Sequence, residues 1–118
     1  MMQPINRSAV IIAPKQSFFT MLKEISGKLD EQAGDPLDED ESTIYLLPEA
    51  ELDDPDLEGR LARHYRDIFY EELEGWFTDR ERWPKNITWR EFQSWFYISF
   101  QSVVIDMLDY EIIHEDDM

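Results

Sequence analysis

Ile98-Ser99-Phe100-Gln101-Ser102-Val103-Val104-Ile105 decides how many strands the chain can offer. The stretch is rich in β-branched and aromatic residues, which favour a pleated, half-buried surface. Phe92, Phe96, Ser99, Val103 and Met107 also fit one face of a helix that simply continues from upstream. Periodicity alone does not separate the two readings for so short an apolar run. We read a strand over 99–107, with the continuing helix as the alternative.

Immediately upstream, Thr88-Trp89-Arg90-Glu91 matches a capping box, and Ile87 and Phe92 are spaced as a hydrophobic staple. A helix is expected from about Trp89, containing Phe92, Trp95 and Phe96. Residues Trp76 to Asn86 form a turn region dense in Trp and Arg. Before it, Leu57, Leu61, Tyr65, Ile68, Phe69 and Leu73 make one helical stripe. Asp54-Pro55 suits the start of that helix and Gly75 its end. Asp56–Arg60 and Arg63–Asp67 are spaced to pair along it.

Nearer the N-terminus, Thr43-Ile44-Tyr45-Leu46-Leu47 and Ser8-Ala9-Val10-Ile11-Ile12-Ala13 read as strands, each closed by a proline, Pro48 and Pro14. Pro14 is expected in the first turn of a helix carrying Phe18, Leu22 and Ile25, which Gly27 stops. The strand–helix–strand order invites a parallel pair, and the long acidic connection also permits an antiparallel return. The expected architecture is α+β. A small three-stranded sheet of β-α-β-α-α-β order carries helices on it, within one domain spanning 1–118. A flexible acidic loop is expected over 28–42 and a frayed tail over 111–118.

Charge narrows the partners. The chain has 27 acids and 11 bases, a formal charge of −16. Residues 1–29 hold four bases and one acid, whereas 30–58 hold thirteen acids and no base. Such a field repels phosphate backbones and anionic lipid, so neither nucleic acid nor membrane is an expected direct partner. It attracts basic proteins and speeds their encounter. No cysteine is present, which excludes disulfides, thiolate metal sites and a cysteine nucleophile and favours a reducing compartment. With no signal-like N-terminus and no long apolar run, the cytoplasm is the expected location.

Few residues suggest chemistry. The acids from Asp35 to Glu41 fail the calcium-loop pattern, which needs glycine at the sixth position and glutamate at the twelfth. Glu71, Glu72 and Glu74 end the second helix, at the unfavourable end of its dipole. With His64 they are the acid–base candidates, weighed against a solvated face or ion pairs to Arg80 and Arg82. No metal and no cofactor is expected, since His64 and His114 are the only histidines and no glycine-rich phosphate loop exists. The tryptophans Trp76, Trp83, Trp89 and Trp95 are distinctive, because Trp and Arg dominate binding hot spots. Trp76 and Trp95 are expected mostly buried. Trp83 or Trp89 is expected partly exposed, as a partner-binding surface with Arg80 and Arg82 and with the charged run Asp38, Glu39, Asp40 and Glu41.

Pro14-Lys15-Gln16 with Phe18, Tyr45-Leu46-Leu47-Pro48, Glu72-Leu73-Glu74-Gly75-Trp76, Trp83-Pro84, Phe92 and Trp95-Phe96 together resemble a family of small acidic bacterial proteins of uncharacterised function. The resemblance implies a small α+β domain and carries no activity. The leading functional expectation is a non-enzymatic module binding a basic protein, of inhibitor, immunity or regulatory type. A small enzyme using the second-helix carboxylates and a nucleic-acid mimic are the alternatives. The sequence leaves the oligomeric state open.

Overall fold

The computed structural model describes residues 2–27 and 42–115. The protein is α+β. A central sheet is built on β2 (Arg7–Pro14), flanked by β3 (Thr43–Pro48) and β4 (Phe96–Gln101) in the order β3-β2-β4. Both pairings are antiparallel, with Val10 opposite Tyr45 on one side and Phe100 on the other. Two short strands, β1 (Gln3–Pro4) and β5 (Ile105–Asp106), pair separately. Ser8 ties the lower end of the sheet together: its buried hydroxyl donates to the Ser102 carbonyl at 3.0 Å and accepts from the Ala50 N–H at 2.9 Å.

The stretch 98–107 therefore contains a strand, and the continuing helix does not form. The burial of β4 alternates strictly, Phe96 inward and Tyr97 outward, as a one-sided strand requires. The strand starts earlier than expected. Helix α4 (Trp89–Trp95) stops at Trp95, and Phe96 already lies in extended backbone as the partner of Pro14. Its start follows the expected capping box: the Glu91 N–H donates to Thr88 Oγ1 at 3.1 Å and the Thr88 N–H to Glu91 Oε1 at 2.9 Å.

Other expectations are corrected. Pro14 closes β2, and α1 (Gln16–Ser26) begins two residues later, stopping as expected at Gly27 in left-handed backbone, φ 71°. Of the two directions that the sequence leaves open, the β2–β3 pair takes the antiparallel one. The expected second helix is two: α2 (Leu57–Ala62) and α3 (Tyr65–Glu74), separated at His64. No proline or glycine sits at the break. Leu57 and Leu61 line a small cavity with Leu47 and Ala50, and Leu61 also packs against the main core that Ile68, Phe69 and Leu73 enter. Neither expected ion pair forms. Arg60 Nε meets Asp54 Oδ2 at 2.6 Å and Arg63 meets Asp56 at 3.3 Å.

All four helices pack on one face of the sheet. Phe18, Phe19, Phe69, Phe92 and Phe96 are essentially fully buried and make edge and tilted ring contacts, such as Phe92–Phe96 at 4.9 Å between centroids. No helix among the described residues is long and apolar enough to cross a membrane.

Candidate functional site: a cleft along the edge of the sheet

Among the described residues β3 is an edge strand, and its outer backbone groups have no ladder partner, since its only pairing is with β2. Helix α3 runs beside this edge without closing onto it. The gap is a cleft of about 420 Å³ lined by Thr43, Tyr45, Leu46, Leu47, His64, Asp67, Ile68 and Glu71. His64, Asp67 and Glu71 reach it because positions three and four apart share a helix face. Ile68 and Leu47, both buried, form its apolar floor. The ionisable lining is two carboxylates, one imidazole and a phenol, with no Lys or Arg.

Tyr45 is fixed from behind. Its hydroxyl donates to Glu72 Oε2 at 2.5 Å, and Glu72 is itself buried. Burial, then the hydrogen bond to Glu72 and the charges of Glu72 and Glu71, push the phenol far above its ordinary range. Tyr45 is thus a neutral donor aimed at a carboxylate, and the pair joins β3 to α3 across the core face. A second, smaller cavity of about 50 Å³ lies on the other side of His64, between Leu47, Ala50, Leu57 and Phe100.

The structure separates the sequence-predicted acid–base group. Glu71 and His64 share the cleft, Glu72 is committed to Tyr45, and Glu74 is exposed and pairs with Arg80 at 2.8 Å. Among the described residues no group of three or more His, Asp or Glu side chains converges to hold a metal ion.

The Trp–Arg candidates do not converge either. Trp83 is half-buried, stacked on Tyr70 at 5.6 Å, with its indole N–H donating to the Phe77 carbonyl at 2.7 Å and the Arg80 guanidinium 5.4 Å from its ring. Trp89 stacks on Phe92 at 5.8 Å and donates to Glu58 Oε1 at 2.9 Å. Arg82 turns towards α1, where Nη1 donates to the Ser26 carbonyl at 3.3 Å. All four tryptophans are partly buried and pack against the core, and the indole N–H groups of Trp83 and Trp89 are satisfied within the chain. Asp38, Glu39, Asp40 and Glu41 lie outside the described residues.

Sequence reasoning missed Tyr45 and Asp67. Asp67 had a signal: it lies three residues after His64 and four before Glu71. Glu72 had one as well, since it falls on the apolar stripe four residues after Ile68. Tyr45 had none, because its role comes from a residue distant in sequence. Fold and cleft together define a small antiparallel α+β domain with an acid-lined groove at an open sheet edge. Comparison with protein-family profiles, with curated proteins and with solved structures finds no match.

Proposed function

We propose that this chain is a non-enzymatic binding module of the cytoplasm that holds an extended, basic segment of a partner protein along β3, facing α3. The observation that supports this reading is the cleft itself. An unpaired strand edge offers main-chain hydrogen bonds to an added strand, and the groove beside it receives alternate side chains. Asp67 and Glu71 favour Lys or Arg there, and Leu47 and Ile68 suit the aliphatic stem of such a side chain. The net charge of −16 adds long-range attraction for the same kind of partner. The enzymatic alternative is weaker, because Glu72 and Glu74 are engaged elsewhere and leave Glu71 with His64 alone.

Capture from a native lysate at low salt tests the proposal, with wild type compared against the Asp67→Asn/Glu71→Gln double variant. The expected result is a basic protein retained by wild type and lost from the variant. Equal retention by both would place the interface elsewhere.

A further inference from the structure

The sheet has a second face, which no described helix covers. Side chains alternating with the core positions point away from the helices. They are Ala9, Ile11 and Ala13 of β2, Ile44 and Leu46 of β3, and Tyr97, Ser99 and Gln101 of β4. Register sets Ile11 opposite Ile44, Ala9 opposite Leu46, and Ala13 opposite Tyr97. Ile44 is 64% and Tyr97 62% exposed. Among the described residues, the strand positions on this face include no acid, although the chain has 27. Its charges are Arg7, at the start of β2, and Lys15, just past the other end, whose ammonium lies 5.2 Å from the Tyr97 ring centroid.

The same chain carries a complement to this surface. Beyond β5, residues 107–115 are all exposed and have no regular structure. Met107, Leu108, Tyr110, Ile112 and Ile113 alternate loosely with Asp109, Glu111 and Glu115, and no Lys or Arg follows Arg90. The root of this arm is held: Asp106 pairs with Gln3, and its Oδ1 accepts the Leu108 N–H at 2.9 Å. Nine extended residues reach about 30 Å, and a six-residue strand spans about 20 Å, so the arm can cross the whole sheet face.

We propose that two copies of the chain exchange these arms. Each arm lies across the open sheet face of the other copy, its apolar side chains on Ile11, Ile44, Leu46 and Tyr97 and its acids towards Arg7 and Lys15. Two features point to a second copy as the occupant. The charges are complementary, an acidic apolar arm against a largely apolar face whose described strand positions hold no acid and which has a cation at each end. The arm's own apolar side chains also stay exposed, Ile113 at 77%. Reciprocal exchange about a two-fold axis uses the same contact twice. Repulsion between the two acidic bodies is screened beyond about 8 Å at physiological ionic strength, whereas the arm and face meet in direct contact.

Sedimentation equilibrium at physiological salt, from micromolar to millimolar chain, tests this. The expected result is a monomer–dimer equilibrium for the full chain. A chain truncated after Asp106, and separately the Ile44→Glu/Leu46→Glu variant, should each raise the dimer dissociation constant by about 30-fold or more, in line with loss of an interface anchor. Their circular dichroism should match wild type, since Ile44, Leu46 and residues 107–115 are all exposed. Mixing the two variants should then restore a heterodimer held by one seat, because one keeps the face and the other the arm. A full chain that stays monomeric throughout would overturn the proposal. So would a dimer that survives truncation, or a monomer whose arm becomes protected from hydrogen exchange on its own face.

Discussion

Tyr45 and Glu72 meet across the core from elements 27 positions apart, and their hydrogen bond fixes the back wall of the cleft. Among the described residues no buried side-chain nitrogen or oxygen lacks a partner, so Glu72 is tolerated because it is satisfied. Tyr45→Phe removes the donor and leaves a buried carboxylate short of a bond, which should cost about 1–3 kcal/mol of stability in urea unfolding. The phenol also sets an alkaline limit. Its folded-state pKa is raised by burial, so the unfolded chain ionises first, and stability is full below the ordinary tyrosine value and falls as pH rises above about 10. Urea midpoints should decline above that pH, and less steeply in Tyr45→Phe. Trp83 belongs to the same scale. Its stack on Tyr70 and its bond to Phe77 make it a packing residue, so Trp83→Ala should lower stability by about 2 kcal/mol and leave partner dissociation unchanged. The sequence could not foresee this, because an Arg-flanked tryptophan in a turn reads the same whether its ring packs inward or waits for a partner.

At the scale of elements, the deciding stretch was readable. Phe96, Ile98 and Phe100 alternate with Tyr97, Ser99 and Gln101, a period of two that a helix would waste. The strand also gives β2 its second neighbour, satisfying backbone groups that a continuing helix would leave unpaired. What misled was Phe96 at helical spacing from Phe92, which set the expected strand three residues late. The break at His64 left no trace at all, since the stripe from Leu57 to Leu73 is continuous in sequence. That break puts His64 between the two cavities, so the cleft was only partly legible: its α3 side was, its β3 side was not. The capping box was legible in full. Thr88→Ala should cost about 1 kcal/mol and lower the thermal midpoint accordingly, because it removes the acceptor of the Glu91 N–H.

For the molecule as a whole, charge and shape divide the work of recognition. Thirteen acids lie between Asp30 and Glu58, and charge acts at a distance whatever conformation carries it. Neutralising Asp38, Glu39, Asp40 and Glu41 should therefore slow association with a captured partner about tenfold and flatten its salt dependence, with little change in dissociation. Contacts in the cleft, in contrast, govern how long the complex lasts. Amide NMR of the labelled chain, titrated with the captured partner, separates these contributions and tests the cleft directly. Binding along the sheet edge predicts large shift changes and newly protected amides over 43–48, with accompanying changes from His64 to Glu71. Changes confined to the Trp76 to Trp89 region, with 43–48 undisturbed, would contradict it.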